Sequence, residues 1–193
     1  MISFQNVILD YPDERVLDGF TLDLPTDGIT CLSGPSGCGK TSLLRIIAGI
    51  MTPTSGLVTG LPEKPAILFQ EDRLIPHLSA EQNIAAVLPS DRAHEAGLWL
   101  QRVELQDDAD KRPRDLSGGM RRRVALARTL AYGGDFLLLD EPFTGLDAAL
   151  TVEMAALIQS LNLPALVVTH SRAEIELLGG HVLHVTGPPL TLP

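Results

Sequence analysis

Residues 28–50 read GITCLSGPSGCGKTSLLRIIAGI. GITCLSG is a short apolar run of the kind a buried strand makes, and TSLLRIIAGI carries apolar residues at helical spacing and stops at Gly49. Between them GPSGCGKT, residues 34–41, fits G-x-x-x-x-G-K-[ST], with a strand predicted before it and a helix after it. Glycines let the backbone wrap phosphate oxygens with its N–H groups, and the helix N-terminus adds a positive field. Lys40 is the residue to reach β- and γ-phosphates, and the Thr41 hydroxyl is a ligand for Mg²⁺. Gly34, Pro35, Ser36, Gly37, Cys38, Gly39, Lys40, Thr41 and Ser42 are therefore the candidate phosphate-binding residues. Cys38 is expected to contribute its backbone N–H rather than its thiol, because a redox role needs a lowered thiol pKa. The bland alternative is a glycine turn before a buried helix.

Working outward, FLLLDEP at residues 136–142 is a continuous apolar run closed by acids, as in a central parallel strand. It delivers Asp140 to the metal side of a nucleotide and points Glu141 at water near the γ-phosphate. Downstream, DAALTVEMAALIQSL and SRAEIELLGG read as helices, and PALVVTH and HVLHVT as strands. Strands alternating with helices predict an α/β fold with a mostly parallel sheet. Upstream, ISFQNVIL and VLDGFTLDL alternate apolar and polar residues and predict an N-terminal antiparallel edge. After the turn-rich MTPTSG come two short strands, LVTG and AILFQ. Residues 79–131 pattern as helix throughout. The expected organisation is one domain, 1–193, with 1–78 and 132–193 as nucleotide-binding core and 79–131 as an inserted helical subdomain.

Composition narrows the class. The chain has 193 residues, 45% of them apolar, which suffices for a sizeable core. No apolar run approaches the about 18 residues that span a bilayer. The N-terminus MISFQNVILDYP shows no basic n-region, so no signal peptide is expected. The two cysteines, Cys31 and Cys38, lack His or Cys partners at metal-ligand spacing and read as free thiols of a cytoplasmic protein. A net charge of −9 argues against a broad nucleic-acid surface.

LSGGM at residues 116–120 opens the helical run MRRRVALARTLA. Ser117 is a good N-cap, and Gly118 and Gly119 leave the first helical N–H groups bare of side chains. A bare helix N-terminus is an anion site; the alternative is glycine chosen only for close helix packing. Arg121, Arg122, Arg123 and Arg128 are expected on solvated and partner-facing sides of this helix.

Tyr11, the phosphate loop, Gln70 after a strand, LSGG, the Asp140–Glu141 pair, Gly145-Leu146-Asp147 and His170 at a strand end follow one another in a set order. In that order the sequence resembles the ATP-binding cassette (ABC) family of P-loop ATPases over nearly its whole length. The resemblance implies ATP and Mg²⁺ as ligands and a head-to-tail homodimer. In that dimer Ser117, Gly118 and Gly119 bind the γ-phosphate held by the partner's phosphate loop. It implies that Tyr11 stacks on adenine, that Thr41, Gln70 and Asp140 serve the metal, and that Asp147 communicates across the dimer. Glu141, His170 and Gln70 form the implied catalytic set: general base, γ-phosphate switch, and contact to the attacking water. Met120 stands where many relatives have Gln. The stretch FQEDRLIPHLSAEQNI looks like the corresponding part of nitrate, sulfonate and taurine importers. A transporter cassette implies separate integral membrane subunits and a peripheral place on the inner face of the cell membrane. Only 23 residues follow His170, so no C-terminal regulatory domain is expected. Two alternatives stand beside this one. A non-transport cassette ATPase of translation or DNA repair usually carries two cassettes or a long coiled-coil insertion. A small-molecule P-loop kinase lacks LSGG and GLD.

Overall fold

Alternating apolar and polar residues at the N-terminus build β1 (Ile2–Tyr11) and β2 (Glu14–Leu24), as the computed structural model, which describes residues 1–192, shows. β3 (Ile29–Ser33) and α1 (Lys40–Ile47) follow, then β4 (Ser55–Thr59) and β5 (Pro65–Leu68). The helical stretch contains α2 (Ala80–Ala85), α3 (Ala96–Arg102) and α4 (Gly118–Ala131), with short 3₁₀ turns between them. The chain closes with β6 (Phe136–Asp140), α5 (Ala148–Ser160), β7 (Ala165–Val168), α6 (Arg172–Leu178) and β8 (His181–His184).

Two sheets result. Five strands form a parallel sheet in the order β5-β6-β7-β3-β8. The predicted antiparallel strands are not an edge of it: β2, β1 and β4 form a separate three-stranded sheet. β4 joins because Phe4 and Gln5 of β1 pair with Val58 and Leu57 on the side that β2 leaves free. Helix α1 then fills the space between the sheets, and its Leu43, Leu44, Ile46 and Ile47 are all buried.

The parallel sheet is covered on both faces, which is why its strands are apolar throughout rather than alternating. On β6, Phe136 and Leu138 join the core shared with α1 and the antiparallel sheet. Leu137 and Leu139 point the other way, into the core with α2–α6. In register, Leu32 of β3 and Asp140 of β6 both stand opposite Val168 of β7. The segments leaving the carboxyl ends of these three strands are therefore neighbours, the place where open α/β sheets take their ligands.

The arginine expectation fails for Arg122 and Arg123, while the Arg121 side chain stays 41% exposed. Arg122 is 2% exposed and Arg123 is 9% exposed, both inside the protein. Arg121 and Arg128 are half-buried. All four donate to main-chain oxygens: Arg121 to Leu116, Arg122 to Phe69, Gln70, Asp140 and Glu141, Arg123 to Val103 and Glu104, and Arg128 to Asp72 and Arg73. A guanidinium is tolerated inside when carbonyls take its protons.

Candidate functional site

The phosphate loop needs glycine for two separate reasons. Gly39 has φ +111, outside the range of ordinary side chains, and a Cβ there would lie 2.7 Å from Val16 Cγ1. At Gly34 a Cβ would lie 2.4 Å from the Val185 carbonyl oxygen. The loop is therefore packed against β2 and the segment after β8. Lys40 Nζ donates to Gly34 O at 2.8 Å and to Pro35 O at 2.6 Å. The ammonium thereby ties the start of α1 back to the start of the loop. Cys38 is fully buried beneath it, and its Sγ lies 3.9 Å from Lys40 Nζ.

Thr41, in the first turn of α1, donates its hydroxyl to Asp140 Oδ2 at 2.7 Å. Asp140 is buried at the end of β6. Burial pushes its pKa above the usual carboxylate range, and the Thr41 hydroxyl pulls against that shift. Both residues line a cleft of about 300 Å³ that also includes Tyr11, Lys40, Gln70 and Glu141. Tyr11 is at its rim, with its phenol 3.2 Å from Ser42 Oγ and 3.4 Å from Met51 Sδ.

Glu141 turns the chain sharply. Its φ is +51, a left-handed conformation that costs a residue with a Cβ about 1–2 kcal/mol. Its N–H donates to Val168 O at 2.9 Å, which ties the turn to β7. Its carboxylate lies 2.8 Å from His170 Nδ1. That contact raises the His170 pKa above its ordinary value. Strain of this kind in an acidic residue at a cleft is characteristic of functional sites. Behind His170, Thr169 Oγ1 donates to the Glu174 carboxylate and accepts from Ser171 N–H at 3.1 Å, which fixes the turn between β7 and α6. Burial raises the Glu174 pKa.

Not every predicted residue comes to this cleft. Ser117, Gly118, Gly119 and Asp147 do not line it, and neither do Gly34, Pro35, Cys38 or His170, the last held beside it by Glu141. Ser117 caps α4, its hydroxyl accepting from Met120 N–H at 3.2 Å, as the sequence predicts. Asp147 caps α5 in the same way, accepting from Leu150 N–H at 2.9 Å. The two glycines differ. A Cβ at Gly118 meets only the tip of Arg121 at 3.9 Å, whereas one at Gly119 would lie 2.7 Å from Gly145 O. Close packing alone thus accounts for Gly119, and it accounts for nothing at Gly118.

Several residues of the site went unread in the sequence. Glu14 and Val16 line the cleft because β2 lies under the phosphate loop. Glu174 sits one helical turn after His170, and the only signal for it is the capping pattern after Ser171. Arg122 gave no signal.

A profile of the ABC transporter family matches residues 17–144. The chain is 40% identical to the aliphatic sulfonates import ATP-binding protein SsuB of Cupriavidus pinatubonensis, over 94% of this chain and 64% of that protein. Against the SsuB 1 protein of Paraburkholderia xenovorans the identity is 41%, over 94% of this chain and 56% of that one. Against the taurine import ATP-binding protein TauB of Mesorhizobium japonicum it is 40%, over 88% and 72%. The chain thus spans between 56% and 64% of the length of the two SsuB relatives. Among solved structures, the ATP-binding cassette MJ0796, a dimer in a post-hydrolysis state bound to ADP and Pi, superposes with a TM-score of 0.85 and 27% identity. That match covers 95% of this chain and 94% of the other. Fold, order of motifs and similarity over most of its length agree that the chain belongs to the ABC transporter family.

Proposed function

We propose that the chain is the ATP-binding and ATP-hydrolysing subunit of an importer for small organic sulfonates, driving transport through separate membrane subunits. The observation that carries this reading is the convergence of three features on one cleft: the Lys40 loop, the Thr41–Asp140 pair and Glu141, whose carboxylate holds the exposed His170 beside it. The substrate class rests on the names of the sulfonate and taurine import relatives.

The triphosphate of ATP takes the Lys40 loop, and Lys40 exchanges its two carbonyl partners for β- and γ-phosphate oxygens. Residues 34–42 other than Pro35 supply N–H groups, and Thr41 and Ser42 add their hydroxyls. Tyr11 offers its ring to adenine at the rim. Mg²⁺ fits the oxygens present: a hydroxyl and a carboxylate already 2.7 Å apart, with the Gln70 side chain on the same cleft. These are hard oxygen ligands, few in number, as suits an ion that keeps waters and shares phosphates. Bound there, Mg²⁺ neutralises charge on the β- and γ-phosphates. Glu141 accepts the proton of the attacking water as the new bond to γ-phosphorus forms and the bond to the β-phosphate oxygen breaks. His170 holds a γ-phosphate oxygen.

A second copy completes the site. Ser117, Gly118 and Gly119 face the partner's γ-phosphate, and Asp147 lies at the same interface. The core, 1–78 and 132–193, binds nucleotide, and the helical subdomain, 79–131, presents α4 to the partner. No helix among the described residues is long and apolar enough to cross a membrane. The chain is placed peripherally, held by membrane subunits on the inner face. Nucleic acid is not a partner. The test is Mg²⁺-dependent ATPase activity of the chain, together with copurification of an integral membrane protein. A chain that folds but neither binds nor cleaves ATP overturns the reading.

A further inference from the structure

We propose that Arg122 is a positioning residue that sets the distance between Gln70 and Glu141. The inference rests on the ATPase reading above. Arg122 is buried, yet its guanidinium spans two separate segments of the cleft. Nη1 donates to Phe69 O at 2.7 Å, to Gln70 O at 3.2 Å and to Asp72 Oδ1 at 3.3 Å. Nη2 donates to Asp140 O, and to Glu141 O at 2.8 Å. One arm of the planar fork therefore holds the chain leaving β5, and the other holds the chain leaving β6.

The need for such a clamp follows from the sheet. β5 and β6 pair as far as Leu68 opposite Leu139. Beyond that point, no backbone hydrogen bond joins residues 69–72 to residues 140–141 among the described residues. These unpaired ends carry the two groups that must meet one water: the Gln70 side chain and the Glu141 carboxylate. Lysine, a point charge on a flexible stem, cannot bridge two segments as a rigid fork does. The carboxylates of Asp140 and Glu141 lie close enough for their charges to act on the Arg122 guanidinium. Its burial is otherwise unfavourable, and its Nε is left without a partner.

The experiment uses the full chain and two variants, Arg122→Lys and Arg122→Gln. Nucleotide affinity, KM, kcat and melting temperature are measured, with kinetics taken well below the melting point. The expected result is kcat lowered by about 10- to 100-fold in both, since displacing a reacting group by about 1 Å costs on the order of that factor. KM and ATP affinity should stay within about twofold, because the phosphate loop is untouched. The Lys variant should retain more activity than the Gln variant. In a Gln70→Ala background, Arg122→Lys should lose far less, because the group it positions is already gone. Wild-type kcat in a folded Arg122→Lys chain overturns the proposal. So do losses that multiply independently with Gln70→Ala, and so does a failure of both variants to fold, which would make Arg122 a core cation. A wild-type chain without ATPase activity would instead sink the ATPase reading on which the proposal rests.

Discussion

Alanine at positions 118 and 119 should move stability in opposite directions. Both glycines lie in the first turn of α4, where φ is negative and alanine fits the backbone. Replacing a helical glycine by alanine gains about 0.5–1 kcal/mol. At Gly118 nothing opposes that gain, because the new Cβ meets only Arg121 Nη2 at 3.9 Å. At Gly119 the Cβ falls 2.7 Å from Gly145 O, with Leu146 Cδ2 at 3.5 Å. The carbonyl belongs to a turn with φ +78 and cannot swing aside as a side chain can. Overpacking of this kind costs about 1–3 kcal/mol, which exceeds the helical gain. For a domain of this size each kcal/mol is worth about 2–4 °C. Gly118→Ala should therefore melt about 1–4 °C higher than wild type, and Gly119→Ala lower, by up to about 10 °C. Thermal unfolding followed by circular dichroism without nucleotide reads both. The two should also part in function. On the proposed dimer, the stabilised Gly118→Ala chain should lose ATPase activity, since its methyl would cover N–H groups assigned to the partner's γ-phosphate. Equal shifts of melting temperature in one direction would refute the packing argument, and full activity in Gly118→Ala would refute the docking argument.

Lys40→Ala should fold normally and lose ATP affinity by at least about tenfold, because the ammonium contacts only groups of the loop itself; nucleotide titration checks this. Glu141→Gln should bind ATP without cleaving it and accumulate as an ATP-dependent dimer, visible by size exclusion with light scattering; hydrolysis at the wild-type rate would remove Glu141 from the role of base. His170 should titrate above its ordinary value of 6.5, chiefly because of its hydrogen bond to Glu141. The stability this pair adds is full below that ordinary value and is lost as pH rises through the raised one. An NMR titration of the imidazole, repeated on Glu141→Gln, should show the raised value fall back; an unchanged value would deny the pairing.

The parts of the site that the sequence revealed are those whose chemistry constrains residue type and spacing together. The phosphate loop demands glycine at positions that geometry leaves no alternative, as Gly34 and Gly39 show. The β6 acids stand out because a buried apolar strand ends in charge. Ser117 announces its helix through a cap that needs only one turn of chain. By contrast, the partner of β4 lies far away in sequence. Nothing local in SGLVT says whether it joins the parallel sheet or pairs with β1, and only the filling of the interior by α1 decides it. The double role of the glycine pair is hidden for the same reason, since Gly145 meets Gly119 only in the folded chain.

The arginines of α4 show most clearly what charge patterns leave unsaid. A run of like charges normally marks a solvated face, yet here burial is decided by main-chain oxygens left without partners nearby. Val103 and Glu104 lie just past the end of α3, where helix carbonyls lack intrahelical donors, and Arg123 supplies donors to both. The chain beyond β5 has left its strand, and Arg128 takes up Asp72 O and Arg73 O. Phe69, Gln70, Asp140 and Glu141 are the corresponding oxygens beside the cleft, and Arg122 takes those. Each guanidinium thus stands where secondary structure stops and carbonyls are orphaned. Element ends are the least legible features of a sequence, so the burial of these charges could not be read from their spacing. The same logic separates the three in consequence. Loss of Arg123 or Arg128 should loosen an element end, whereas loss of Arg122 should alter chemistry, because its orphaned oxygens belong to the residues that would meet the attacking water.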